Sequence, residues 1–261
     1  MTSHTNEFIA ILSMNPVFPD FQIIHISQTT STNCYLQELS NNEKLPEGSV
    51  VATDCQTQGR GQSGNSWESE PDANLTFSMI LYPVMVEASD QFILSKVISL
   101  AVFDFISEII PDGVSIKWPN DVYVGDKKIS GILIENFIEG AYLTKTIAGI
   151  GVNINQKCFL SDAPNPVALR QLTGKTYPLK TCLLSLHTSI ASRYRMMKEN
   201  EEQLDSDYLQ YLYRFGKLCR YSVDGVFFDA TITGVNRYGM LEMTAANRER
   251  KVFGFKEVRF G

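Results

Sequence analysis

Asp54-Cys55-Gln56-Thr57-Gln58-Gly59-Arg60-Gly61-Gln62-Ser63-Gly64-Asn65-Ser66-Trp67 is the stretch of the 261-residue chain on which the choice of fold turns. Its glycines spell Gly-x-Gly-x-x-Gly, the spacing that opens a helix over a pyrophosphate in a dinucleotide-binding unit. The residues after Trp67 rule that helix out. Glu68-Ser69-Glu70-Pro71-Asp72-Ala73-Asn74 is turn chemistry, and Leu75 to Leu81 then alternates like a strand. The loop is therefore expected between two antiparallel strands, Gly48–Thr53 entering it and Leu75–Leu81 leaving it. Gly59, Gly61 and Gly64 remove side chains that would block the backbone, so successive N–H groups can turn toward an anion, and Arg60 adds a planar fork of donors. A glycine hairpin without a ligand is the plainer alternative.

Upstream, Gln22–Ile26 reads as a strand and Cys34–Leu39 as a helix, with Ser31, Thr32 and Asn33 at the helix start. These residue types cap helices well, but three in succession exceed what one cap needs. Downstream, Gln91 to Ile110 is apolar nearly all round apart from Lys96, Ser99, Asp104 and Ser107, the pattern of a buried helix. Lys117-Trp118-Pro119-Asn120-Asp121 separates two short strand runs, because Pro119 cannot donate to a ladder. Lys117 with Asp121 reads equally as a plain ion pair or as part of a cleft. Gly125-Asp126-Lys127 forms a turn into the strand Lys128–Glu135. In Ile147–Asn155, alternation places Ala148, Ile150, Val152 and Ile154 on one face and Gly149, Gly151, Asn153 and Asn155 on the other. Two glycines weaken a strand unless something approaches its backbone, so this second face is expected to floor a ligand site. Residues 181–200 and 203–215 are helical in pattern. From Lys217 the chain turns to short strands, with Asp224-Gly225 a type I′ hairpin signal, which suggests a small β-barrel.

Composition narrows the function classes. With 44% hydrophobic and 20% charged residues the chain is an ordinary globular protein, large enough for one main domain and a small one. A formal net charge of −6 argues against a nucleic-acid or anionic-membrane partner, since such binding rests on clustered Lys and Arg. Five cysteines, odd in number and dispersed, support neither a disulfide framework nor a zinc site and fit a reducing cytoplasm. The first residues lack a basic segment followed by an apolar core, so secretion is not expected.

Five motifs in order resemble the biotin–protein ligases, in the short form made of a catalytic domain and a C-terminal barrel. They are Ser31-Thr32-Asn33, Gly59-Arg60-Gly61-x-x-Gly64-x-x-Trp67, Lys117-Trp118-Pro119-Asn120-Asp121, Lys128-x-x-Gly131-Ile132-Leu133 and Gly149-x-Gly151-Val152-Asn153. The resemblance implies an α+β fold whose mixed β-sheet is similar to the class II aminoacyl-tRNA synthetase core, followed by an SH3-like β-barrel. It divides the chain into an arm (1–21), a catalytic domain (22–215) and the barrel (216–261). It also implies a two-step reaction: biotin and ATP give biotinyl-5′-AMP and diphosphate with Mg²⁺ assisting, and a lysine of a biotin carboxyl carrier protein domain then takes the biotin.

By the same resemblance Ser31, Thr32, Asn33 and Gln56 hold the biotin ring system, with Gly59, Arg60, Gly61, Gln62, Lys128 and Gly131 completing that site. Arg60, Gln62, Trp67, Lys117, Asn120, Asp121 and Asn153 line the nucleotide side, Trp67 lying against adenine. Arg60, Lys128 and Asp121 are the expected catalytic residues, and no fixed protein-ligated metal site is expected. The family allows a homodimer. Two positions depart from its pattern: Gln62 stands where a second arginine is frequent, and Asn65 where a further basic residue is common. No winged helix-turn-helix is expected ahead of the catalytic domain. A lipoyl or octanoyl ligase or transferase of the same fold is the nearest alternative, and a non-enzymatic biotin-sensing regulator a more distant one.

Overall fold

β4 (Leu75–Leu81) is buried at every residue, the mark of a strand covered on both faces, and the architecture grows outward from it. The computed structural model describes residues 7–9, 15–160 and 165–261. One eight-stranded sheet runs β1 (Glu7–Ile9), β2 (Ile23–Thr29), β3 (Val50–Gln56), β4, β8 (Tyr142–Val152), β7 (Lys127–Glu139), β6 (Asp121–Val124) and β5 (Val114–Lys117). Only β2 and β3 are parallel, joined by α1 (Thr32–Asn42), so the sheet is mixed.

The two faces of the sheet are covered unequally. Phe77, Met79 and Leu81 of β4 and Ala148, Ile150 and Val152 of β8 enter the large core under α2 (Phe92–Ser107) and α4 (Leu179–Glu199). The polar stripe of α2 clamps its neighbours. Arg193 of α4 grips Asp104 through two N–H donors (2.6 and 2.8 Å) and also meets Asp207 of α5 (Glu201–Gln210). Lys96 pairs with Asp205 at 2.6 Å. On the opposite face, α1 is the one helix among the described residues that packs, over a small core of Ile24, Ile26, Leu36, Val51, Ile80 and Ile147. An isolated helix of 11 residues is marginal, so α1 depends on this packing. Burial of Leu36 contributes about 1.5–3 kcal/mol of it. Beyond that core the same face carries Ser78 and Thr76 opposite Gly149 and Gly151, and there the sheet is open to a cavity.

Within the N-terminal arm, Glu7–Ile9 pair antiparallel with Ile23–His25 and form an edge strand. The remainder of residues 1–14 lies outside the described residues. A short helix, α3 (Leu169–Thr173), has no counterpart among the elements expected from sequence.

The C-terminal strands β9 (Leu218–Val223), β10 (Val226–Val235), β11 (Leu241–Ala245), β12 (Arg250–Phe253) and β13 (Arg259–Phe260) form an antiparallel sheet in the order β12-β11-β10-β9-β13. The expected hairpin is present, with Asp224 and Gly225 both at positive φ (48° and 82°). The expected barrel is not: β12 and β13 stand at opposite edges without pairing, and β13 has two residues, too few to close a ladder. This sheet shares the large core through Tyr221, Ile232 and Leu241. It is fastened by the Trp118 indole N–H, which donates to Gly239 O at 2.8 Å, beside the cis Trp118–Pro119 bond. Among the described residues no helix is long and apolar enough to cross a membrane.

Candidate active site

The cavity, about 230 Å³, opens where α1 begins and the glycine loop leaves β3. Ser31, Thr32, Asn33 and Gln56 wall one end; Pro119, Asn120, Asp121 and Lys128 wall the other; Arg60, Gly61, Gln62, Asn65 and Trp67 roof it from the loop. These groups come from four separate motifs and meet only in the fold.

Ser31 occupies the N-cap position of α1, yet its side chain makes no cap hydrogen bond. Gln56 supplies the cap instead: its Oε1 accepts from the Thr32 backbone N–H at 2.7 Å. The three polar residues at the helix start, each at most 5% exposed, are thereby left for the cavity. Thr32 Oγ1 lies 2.7 Å from Ser78 Oγ, and the Ser78 hydroxyl donates to Asn33 Oδ1 at 2.5 Å. The Asn33 amide N–H donates to Glu135 Oε2 at 2.7 Å, and Arg60 places its Nη2 3.2 Å from both oxygens of Glu135. One hydrogen-bonded row thus runs beneath the cavity from its hydroxyl end to the loop arginine.

The loop is folded on itself. Gly61 N–H donates to Asn65 O at 2.7 Å and Trp67 N–H to Gly59 O at 2.9 Å, which brings Arg60 opposite Ser66. Its last residue reaches the floor: a Cβ on Gly151 would lie 2.3 Å from the Trp67 ring and one on Gly131 2.9 Å from it, while one on Gly149 would lie 2.3 Å from Asn33 Oδ1. The glycine face therefore admits the chain's own indole and amide, which in turn present themselves to the cavity. Trp67 Nε1 is buried and finds no acceptor among the described residues.

Lys128 reaches the cavity through an irregularity. Gly131, Leu133 and Glu135 share one face of β7, and strict alternation would turn Lys128 to the other. A register shift opposite Val122 and Tyr123 inserts one residue and restores Lys128 to the cavity side. There its Nζ pairs with Asp121 Oδ1 at 2.8 Å and stands 5.8 Å from the Trp67 ring centre. Asn120 anchors this corner by donating to Ile132 O.

Three expected residues stand outside the cavity lining. Gly59 lines an adjoining cleft with Gln58, Leu133 and Glu135. Lys117 turns into an aromatic cluster, 3.2 Å from Tyr123 Oη and 4.9 Å from the Phe260 ring centre. Burial lowers its pKa and Asp121 opposes the shift. Asn153 lies just past β8, 2% exposed, its Oδ1 without a partner among the described residues. Asn155, read as part of the floor, has its amide bonded to the Tyr177 backbone in both directions.

Thr76 and Lys256 line the cavity, and Ser78 and Glu135 support it through their bonds to Asn33; none of the four has a role in the sequence reading. Thr76 and Ser78 carried a signal, since they are the polar members of an alternating strand. Glu135 closes an apolar run. Lys256 comes from the turn before β13 and carried none.

The Biotin/lipoate A/B protein ligase family profile matches residues 25–153. The chain is 36% identical over 136 residues to a bifunctional ligase/repressor BirA of Bacillus subtilis, covering 52% of this chain and 41% of that one. It is 28% identical over 193 residues to a biotin–[acetyl-CoA-carboxylase] ligase of Mycobacterium tuberculosis, covering 73% and 65%. The chain spans about half the length of the curated relatives it matches. Among solved structures, the biotin protein ligase of Aquifex aeolicus in complex with biotin and ATP superposes with a TM-score of 0.75 at 27% identity, over 92% of this chain and 99% of that one.

Proposed function

We propose that the chain, whose residues 25–153 match the biotin/lipoate A/B protein ligase family, is an ATP-dependent biotin–protein ligase. It joins biotin to ATP as biotinyl-5′-AMP, releasing diphosphate, and passes biotin to a lysine of a biotin carboxyl carrier protein domain. The observation that carries this reading is the asymmetry of the cavity: hydroxyls and amides at one end, a cation paired with a carboxylate at the other. A bicyclic urea offers N–H donors and a carbonyl acceptor that the Ser31, Thr32, Asn33 and Gln56 end can pair. A dithiolane ring offers neither, and would leave those buried groups unpaired, a penalty large enough to reject it.

In this reading Arg60 and Lys128 hold the carboxylate and then the phosphate it becomes. They stabilise negative charge that grows in the transition state more than they stabilise the ground state. Trp67 gives adenine a stacking surface, with Gln62, Asn120 and Asp121 beside it. Asp121 is the one carboxylate that lines the cavity among the described residues, and among them no cluster could hold a metal by itself. That donor set fits Mg²⁺, which is commonly held by one or two carboxylates together with substrate phosphates. When bound it neutralises phosphate charge.

The deciding experiment is ATP–diphosphate exchange with biotin or lipoate as acid, followed by transfer of labelled biotin to a carrier domain. Exchange dependent on biotin is expected; exchange dependent on lipoate alone selects the other branch of the family. A biotin-dependent gel shift without any exchange selects the regulator.

A further inference from the structure

Glu135 is the group in the site that the reaction does not call for. Its carboxylate stands on the cavity face of β7, bonded to Asn33 on one side and ion-paired to Arg60 on the other. Arg60 borders both the cavity and the adjoining cleft, and Glu135 lines only the cleft. The guanidinium is thus tied toward the cleft by an anion of the same class as the ligand's own carboxylate.

We propose that Glu135 is a positioning residue that holds Arg60 in place of the ligand's carboxylate and yields it when an anionic ligand enters. This rests on the function proposed above. Three features support the exchange. The pair is partly solvated, with side chains 43% and 31% exposed, and such pairs bias an equilibrium by no more than about fivefold, so an incoming carboxylate can displace it. Glu135 is not stranded when Arg60 leaves, because Asn33 still donates to it at 2.7 Å. Proton bookkeeping also fixes the row. A carboxylate only accepts, so Asn33 must turn its NH₂ to Glu135 and its carbonyl to Ser78. Ser78 then donates to Asn33, and the single Thr32 hydroxyl proton goes to Ser78 Oγ at 2.7 Å or to Gln56 Oε1 at 3.1 Å; in either case a Thr32 lone pair is left to accept a ligand N–H. One residue thereby sets the polarity of the ring end and restrains the cation at the carboxylate end.

Titration calorimetry on the full chain separates the two roles, with biotin and its neutral alcohol, biotinol, as probes. Glu135→Gln keeps an acceptor for Asn33 and removes the charge that competes for Arg60. It is expected to bind biotin about threefold to fivefold more tightly and biotinol as wild type does. Glu135→Ala, which leaves the Asn33 amide only its longer bond to Leu133 O at 3.3 Å, is expected to weaken both. Equal affinities of wild type and Glu135→Gln for biotin, or a parallel loss for both probes, overturn the exchange while the proposed function stands. A wild-type chain that binds neither probe removes both.

Discussion

Lys128 shows how much chemistry rests on one backbone irregularity. Read by alternation it is a surface lysine at a strand entry, and only the register shift in β7 turns it into the cavity. Because that position tolerates truncation, Lys128→Ala is expected to fold normally and to lose about 10²- to 10³-fold in ATP–diphosphate exchange. An exchange rate above half of wild type would remove Lys128 from the mechanism. Ser31 teaches the converse: its type and place predict a cap, and the structure gives the cap to Gln56. His187 governs stability instead of chemistry. It is 2% exposed, stacked on Phe21 with ring centres 4.0 Å apart, its Nε2 3.0 Å from Gly48 O, and burial lowers its pKa. The unfolded chain takes up its proton near pH 6.5 and the folded chain only at lower pH. Stability is therefore complete above about 6.5 and falls below it, by at most about 1.4 kcal/mol per pH unit. Urea melts between pH 7.5 and 5.5 should show the fall, and His187→Gln should flatten it.

At the scale of elements, the sequence was most legible where an element carries its own pattern. The strands flanking the glycine loop, the buried helix α2 and the glycine-lined face of β8 were all readable, because alternation and composition are local. The edge strand β1 and the helix α3 were not, since segments of three and five residues exist only by virtue of their partners. The floor was half read. Gly149 and Gly151 do admit a close approach, but the approaching groups are Asn33 and Trp67, whose positions depend on α1 and on the folding of the loop. Gly151→Ala is accordingly expected to force the indole off the sheet at a cost of about 1–3 kcal/mol, typical of overpacking. For a chain of this length that lowers the thermal midpoint by about 3–10 °C, and an unchanged midpoint would mean that Trp67 does not rest on β8.

Over the whole molecule, the expected boundary near residue 216 separates secondary-structure types but not cores. Tyr221, Ile232 and Leu241 are continuous with the core beneath α2 and α4, and Lys256 extends from the second sheet to the cavity. Closure of a barrel and delivery of a distant lysine depend on long-range pairing, which no window of sequence contains. Lys256→Ala is expected to raise KM for ATP about threefold to fivefold, the effect of one partly solvated cation on a phosphate, with kcat within about twofold. A change in kcat alone would place it elsewhere in the cycle. The chain has two tryptophans, and they stand at different joints: Trp67 over the glycine floor of the cavity, Trp118 locked to Gly239 between the two sheets. They form a built-in pair of fluorescent reporters. In Trp67→Phe the remaining emission should follow separation of the C-terminal sheet and ignore ligand, whereas in Trp118→Phe it should follow arrival of the nucleotide, so that filling and unfolding can be watched separately in one unlabelled chain.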